Sequence, residues 1–368
     1  MYIESIDLKN FRNYKSAAIE LSPKVNIFFG DNAQGKTNLL EAVYLSSTSR
    51  SHRARRDKEL IMFGEEESHV RLFFHRQDLT HRLDIHLKKR GSKGIALDGV
   101  PLRRSGELLG LLQVVFFAPE DLAIIKNGPQ FRRKFMDLRM SQLDKGYIKY
   151  LADYTKLLNE RNNLLKQIHY QPELKDTLGG WDSQLLQIGS VIIQKRADFV
   201  KNLNEIMQDI HQRLTGGREK IMVSYDASIS EEEFALTLAQ RQEMDLKNGS
   251  TSVGPHRDDL SFVVNGIDIR HYGSQGQQRT AALSLKLAEI QMIEDQTKEK
   301  PILLLDDVLS ELDAHRQEYL LGSISQIQTL ISCTGLDDFV RSRMVMDQIF
   351  YVQDGTVEKY DSYPLSED

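Results

Sequence analysis

The sequence predicts an α/β fold with a mixed sheet, interrupted by an inserted, mainly helical lobe. Three observations lead there. The buried strand Val25–Phe29 runs into a glycine-bounded loop and then a helix. A second apolar strand, Ile302–Leu305, stops on two aspartates. Between them, from about Glu120 to Arg213, the apolar period changes from strand-like to helical.

Length and composition set the outer bounds. At 368 residues the chain has room for two domains, or for one domain with a large insertion. Its 40% apolar residues supply a core, and its formal charge of −5 argues against a generally basic coat for nucleic acid. Any polyanion site is therefore expected as a local patch. One cysteine, Cys333, excludes an internal disulfide framework and suits a reducing compartment. The N-terminus lacks a signal-peptide core, and no stretch approaches the roughly 18 apolar residues of a membrane span. The expected location is the cytoplasm, with no membrane partner.

Along the chain, Tyr2–Leu8 alternates with period two and Ala17–Leu21 is its expected partner strand. A helix is expected from Lys36. Residues 69–98 read as antiparallel strands, and Val114–Phe117 as a buried strand stopped by Pro119. The helical stretch divides into two runs broken at Leu178-Gly179-Gly180. Each run is about 30 residues, or ~45 Å, and so gives a helical pair, too short for a long coiled coil. Tyr147, Tyr150 and Tyr154 fall at helical spacing and are expected in the core in preference to a base-stacking strip. Strands return at Ile221–Tyr225 and in a hairpin over Leu260–Ile269 with Asn265-Gly266 at its tip. A helix follows Gly276, and Thr329–Cys333 and Gln348–Val352 read as the last strands. The expected division is 1–118 and 252–368 as two halves of one domain, with 119–251 as the inserted lobe.

The loop Gly30-Asp31-Asn32-Ala33-Gln34-Gly35-Lys36-Thr37 matches G-x-x-x-x-G-K-[ST]. Its glycines let backbone N–H groups converge on phosphate oxygens at a helix N-terminus, which already favours anions. Lys36 is placed for the β- and γ-phosphates of ATP, and the Thr37 hydroxyl for Mg²⁺. The strand Ile302–Asp306 has the Walker B arrangement, so Asp306 is expected to hold Mg²⁺ and Asp307 to orient or deprotonate the attacking water. Ser274-Gln275-Gly276-Gln277 enters a helix and offers donors to a phosphate.

That loop precedes the Walker B strand in the order and spacing that resemble the signature motif of ABC-type ATPases. In that class one subunit's signature covers another's nucleotide. Ser310-Glu311-Leu312-Asp313 resembles the D-loop of the class, with Asp313 its candidate residue. The phrase Leu8-Lys9-Asn10-Phe11-Arg12-Asn13-Tyr14 is similar to the opening of the SMC and RecF group of DNA-maintenance ATPases. Arg12 and Asn13 within it are candidate nucleotide contacts. Four further stretches resemble the RecF family: Ser51-His52-Arg53, Phe117–Leu122, Gly128-Pro129 with Arg132-Arg133, and Gly254-Pro255-His256-Arg257-Asp258-Asp259-Leu260. The resemblance covers nearly the whole chain, and the short helical pair suits it better than the SMC proteins, which insert hundreds of coiled-coil residues.

The resemblance implies an ABC-type P-loop ATPase head that dimerises on ATP, with Lys36 of one subunit and Ser274 and Gly276 of the other on each nucleotide. It further implies DNA binding at gaps or single-strand/double-strand junctions, with RecO and RecR as partners in loading the RecA recombinase, and a link to the SOS response. Two departures stand out. Asp307 replaces the glutamate of many relatives, which suits slow hydrolysis. Thr334 follows the Thr329–Cys333 strand where transporter-type relatives carry histidine, making Thr334 the candidate γ-phosphate sensor. For DNA, the densest basic run is Arg50, Arg53, Arg55, Arg56 and Lys58, and a second cluster holds Arg132 and Arg133. The alternatives are the ATPase subunit of a membrane transporter and a DNA-structural protein that does not hydrolyse ATP.

Overall fold

The computed structural model describes residues 1–335 and 347–360, and the chain divides into two compact units. One joins Met1–Glu120 to the C-terminal part from Ile290, and the other is Asp121–Glu289.

The first unit begins with β1 (Tyr2–Phe11) and β2 (Tyr14–Glu20), followed by β3 (Val25–Phe29) and α1 (Lys36–Thr48). Then come β4 (Glu67–Arg76), β5 (Leu79–Lys88), β6 (Gly94–Leu97), β7 (Val100–Pro101) and β8 (Val114–Phe117). The second unit holds α2 (Leu122–Lys126), α3 (Pro129–Leu143), α4 (Lys145–Ile168), α5 (Leu178–Leu214), β9 (Ile221–Asp226), α6 (Glu231–Gln240) and α7 (Gln242–Asn248). It continues through β10 (Asp259–Val264), β11 (Ile267–Asp268), α8 (Ile269–Tyr272) and α9 (Gln275–Thr297), the last of which carries the chain back to the first unit. There β12 (Ile302–Asp306), α10 (Ala314–Ile324), β13 (Thr329–Cys333), β14 (Gln348–Gln353) and β15 (Thr356–Lys359) complete the domain.

The first unit contains two six-stranded sheets. The sheet β2-β1-β4-β5-β6-β7 is antiparallel throughout, and its strands alternate between core and solvent as half-buried strands do. The other has the order β15-β14-β3-β13-β12-β8, in which β14, β3, β13, β12 and β8 run parallel. Its central strands read as continuous apolar runs because both faces are covered. One core of Ile6, Phe11, Phe28, Leu39, Val43, Leu72, Phe116 and Leu304 joins the two sheets and α1. This order puts β3, β13 and β12 side by side, so loops after strands from opposite ends of the chain open at one edge.

The second unit is helical around α3, α4 and α5, with the three-stranded sheet β11-β10-β9. The Asn265-Gly266 turn has both residues in the left-handed region, at φ 49° and 81°, the conformation a two-residue hairpin needs. The unit runs to Glu289, beyond the expected boundary at 251, because β10 pairs with β9 and the first half of α9 belongs to it. The helical stretch also differs from two runs: α3 is separate from α4, and the break falls at 169–177 around Pro172. Gly179 and Gly180 lie in the first turn of α5, where helix entry costs less than an interior position. Tyr147 and Tyr154 are buried as expected of core residues, and Tyr150 is half-buried.

Candidate nucleotide-binding site

The phosphate loop is a set of backbone constraints before it is a set of side chains. Gly30 ends β3 at φ 149°, and a Cβ there would lie 2.3 Å from the Val352 carbonyl oxygen. Gly35 has φ 124°, and its Cβ would meet Asn13 and Tyr14 at 2.8 Å. Only glycine fits either position. Between them Ala33 is left-handed, at φ 66°. α1 then starts at Lys36 with Gly35 as its N-cap and no side chain on its first N–H groups. Those donors face the loop and are available to an anion.

The loop is held from behind. The Asn13 amide donates to the Gln34 carbonyl (2.8 Å) and accepts from Asn38 (2.8 Å), while the Tyr14 hydroxyl donates to the Gly35 carbonyl (3.0 Å). Burial pushes the Tyr14 phenol up, so it stays a protonated donor. From the β14–β15 turn, the Gly355 N–H reaches the Gln34 carbonyl (3.2 Å) and the Asp354 N–H reaches the Gln34 side chain (2.7 Å). Asn13 thus binds the loop backbone, and its position is that of a brace.

Lys36 is 4% exposed, and its ammonium donates to the carbonyls of Gly30 (2.7 Å) and Asp31 (2.8 Å). The Thr37 hydroxyl donates to Asp306 Oδ1 (2.8 Å), and the Ser332 hydroxyl donates to the same oxygen (2.5 Å). Asp307 is left-handed at φ 53°, with its N–H on the Ser332 carbonyl (3.3 Å) and hydroxyl (3.2 Å). Strain of this kind collects at functional sites. Burial raises the Asp306 carboxyl, and the Asp307 charge adds to it against the Ser332 and Thr37 hydrogen bonds. Burial likewise raises Asp307, opposed by Lys36. Among the described residues, Lys36, Asp306 and Asp307 make no ion pair. A hydroxyl and a carboxylate on one side and an ammonium on the other suit a hard cation beside phosphate oxygens. Ser332 lies outside the sequence-derived set, because its place opposite Asp306 comes from the register of β13 with β12. Thr334 is exposed one residue beyond β13.

Arg12 sits differently from a nucleotide contact. It makes a two-point bond to Glu41, both contacts 2.8 Å, and a third to the Glu59 carbonyl (2.9 Å). Glu41 is fully buried on α1 and also takes Ser51 (2.5 Å) and Arg53 (3.1 Å). Burial alone would raise its carboxyl, but the Arg12 and Ser51 hydrogen bonds with the two arginine charges hold it below the usual range. Arg53 is therefore an anchor of the loop after α1. Arg50, Arg55, Arg56 and Lys58 are exposed, and among the described residues none of them is ion-paired.

The second unit holds the candidates Ser274–Gln277, Arg132 and Arg133. Ser274 caps α9: its Oγ accepts from the Gln277 N–H (3.1 Å), and the Gln277 side chain accepts from the Ser274 N–H (3.0 Å). This reciprocal box leaves Ser274, Gln275 and Gly276 exposed at the start of a 23-residue helix. Arg132 is a correction. It is 1% exposed, bound at two points to Asp259 (2.6 and 2.9 Å) and to the carbonyls of Ile124 and Asn127, so four of its five N–H donors are used within the fold and the group is buried away from a surface phosphate. Arg133 is half-buried and donates to the Asp258 carbonyl (2.6 Å). In the first unit, Asp313 caps α10, accepting from the Arg316 N–H (2.9 Å) and pairing with its guanidinium (2.6 Å).

Residues 2–358 match the family described as RecF/RecN/SMC N terminal domain. The chain is 55% identical over 359 residues to the DNA replication and repair protein RecF of Lachnoclostridium phytofermentans, covering 98% of this chain and 100% of that protein. It is 54% identical over 361 residues to the protein of the same name from Agathobacter rectalis, with 98% and 100% covered. A solved structure of the recombination mediator protein RecF with ATP in the RecFOR pathway aligns at TM-score 0.92 and 39% identity, over 98% of this chain and 97% of that one. An Smc head domain from Pyrococcus furiosus aligns at TM-score 0.58 and 18% identity, over 98% and 96%, which shows a shared fold.

Proposed function

The chain belongs to the RecF family of ATP-binding, ABC-type ATPase heads, and on that premise we propose that it is an ATP-driven DNA clamp of recombinational repair. The observation that carries the reading is the convergence of Thr37 and Ser332 on one oxygen of Asp306, joining residues 269 apart in sequence beside Lys36. Thr37 and Asp306 would hold Mg²⁺, and Lys36 would exchange its loop carbonyls for phosphate oxygens. When bound, the ion offsets the charge on the phosphates. Asp307 would orient the attacking water and accept its proton as the bond to the γ-phosphorus forms and the bond to ADP breaks. Its carboxylate is one methylene shorter than glutamate, which suits slow, DNA-stimulated turnover by a switch.

The exposed Ser274–Gly276 entry to α9 would cover the nucleotide of a second copy, with Asp313 at the same junction and Thr334 reporting the γ-phosphate. The closed dimer would present Arg50, Arg55, Arg56 and Lys58 to DNA at gaps or junctions in the cytoplasm. A solved relative is assigned to the RecFOR pathway, which supports RecO and RecR as partners in promoting RecA loading. Met1–Glu120 with the part from Ile290 would then act as the head, and Asp121–Glu289 as the lobe.

The experiment is ATP-dependent binding to gapped, duplex and single-stranded DNA, measured with sedimentation and phosphate release. Lys36→Ala should lose nucleotide binding by at least about tenfold to a hundredfold, as the loss of charge-assisted hydrogen bonds implies. Asp307→Asn should accumulate an ATP-bound dimer. A mass unchanged by ATP would overturn the dimer, and absent phosphate release with and without DNA would leave a non-hydrolysing structural protein.

A further inference from the structure

Away from the phosphate loop, the solvent face of the antiparallel sheet gathers metal-ligating side chains. Alternation along β4 places Glu67, His69 and Arg71 outward, while Ser68, Val70 and Leu72 enter the core. β5 does the same with Asp84 and His86 outward and Leu83, Ile85 and Leu87 inward. The register sets His69 directly opposite His86, with Glu67 one pleat away on the same face. The two imidazoles stack at 4.2 Å between centroids and 16° between planes. His86 Nε2 lies 2.8 Å from Glu67 Oε2. One ligand atom from each of the three residues lies within 4.8 Å of the other two.

From this we infer that Glu67, His69 and His86 form a Zn²⁺ site whose fourth position is open to solvent. Zinc bonds of ~2.0–2.1 Å place tetrahedral ligand atoms about 3.3 Å apart, which these side chains reach by small rotations. Two imidazoles and one carboxylate match the donor preference of zinc, whereas Mg²⁺ and Ca²⁺ need more oxygens than the cluster has. The strands themselves fix the spacing, because adjacent strands in a ladder hold facing side chains in reach of one another. Two neighbouring cations oppose the ion. Lys9 on β1 lies opposite His69, and Arg71 is next on the same face, although its guanidinium is bound to Asp84 at 2.6 Å. The opposing cations weaken binding, which fits a reversible clip between β4 and β5. The site is independent of the nucleotide reading, since its residues take no part in the phosphate-loop corner.

The test uses the full chain, freed of metal and kept in excess Mg²⁺ so that the Thr37–Asp306 corner is not the zinc acceptor. Calorimetric titration with ZnCl₂ should show one equivalent bound and a raised melting temperature. His69→Gln with His86→Gln should weaken that binding at least tenfold and abolish the thermal shift, while ATP affinity stays at the wild-type value. Glu67→Gln alone should weaken zinc binding by a smaller factor, and Co²⁺ should give the visible absorption of a tetrahedral site in wild type only. Zinc binding with the same stoichiometry and affinity in the double variant, or none in wild type, overturns the assignment.

Discussion

Two corners of the molecule carry dense charge, and they handle it in opposite ways. In the helical unit, each carboxylate of the Gly254–Asp259 segment is claimed by arginine. Asp259 takes both ends of Arg132 and a contact from Arg270 (3.2 Å). Asp258 takes Arg196 (3.0 Å), the Tyr225 hydroxyl and the Ser228 N–H (2.8 Å). Arg196 goes on to Asp137 (2.7 Å) and the Pro255 carbonyl (2.6 Å), and these acids raise its pKa although burial opposes them. In the head, among the described residues, the Asp306 carboxylate accepts only from the Thr37 and Ser332 hydroxyls, Asp307 beside it donates its N–H to Ser332, and Lys36 touches carbonyls. The first corner is a closed account of charge; the second leaves charge for something to bind. Motif density alone is therefore a poor guide to function, and pairing separates structure from site.

Breaking the closed corner should have the largest effect. Asp258→Ala leaves Arg196 short of a buried partner and should cost about 3–5 kcal/mol in chemical denaturation, with nucleotide affinity of the folded fraction unchanged. If ATP affinity falls while stability holds, the two corners are not distinct in kind.

Arg12→Ala tests a mixed case, an ion pair beside the phosphate loop. Glu41 would keep Ser51 and Arg53, so a loss of about 2 kcal/mol is expected. The pH dependence has a definite sign. The folded-state pKa of Glu41 lies below its ordinary 4.5, so its contribution is present above that value and is lost as pH falls through the folded value. Removing Arg12 should move this loss to higher pH in an acid-unfolding series.

A smaller effect is expected for Asn13→Ala, which removes one donor from the Gln34 carbonyl and one acceptor from Asn38. About 1 kcal/mol of stability should go, together with less than about tenfold in ATP affinity. No change in ATP affinity would mean that the brace does not position the loop.

Arg55→Glu with Arg56→Glu should change stability least, by no more than about 0.5 kcal/mol, because both side chains are exposed. It should nonetheless lower duplex affinity and flatten its dependence on salt by about one to two in the logarithmic slope. Unchanged affinity across the salt series would remove this patch.

Much of this was legible from residues alone. The phosphate loop could be read because its chemistry is local: glycines, lysine and threonine at fixed spacing between a strand and a helix. The Walker B strand was legible for the same reason, since an apolar run ending in carboxylates needs no distant partner to be recognised. Ser332 escaped because its role depends on register with β12, which no local pattern encodes. Arg132 and Arg53 read as free surface charge because a charge run gives no sign of pairing, and their partners Asp259 and Glu41 lie 127 and 12 residues away. The Leu178-Gly179-Gly180 break misplaced the helix boundary because glycine marks weak propensity, which the burial of Leu178 and Leu185 overrides.

The sequence by itself therefore determined the fold class, the position of the phosphate loop and the family resemblance, since each rests on contiguous residues. Tertiary structure alone decided which charges are spent on holding the fold and which stay available. That choice turns on desolvation and pairing, and both are set by neighbours that only folding brings together.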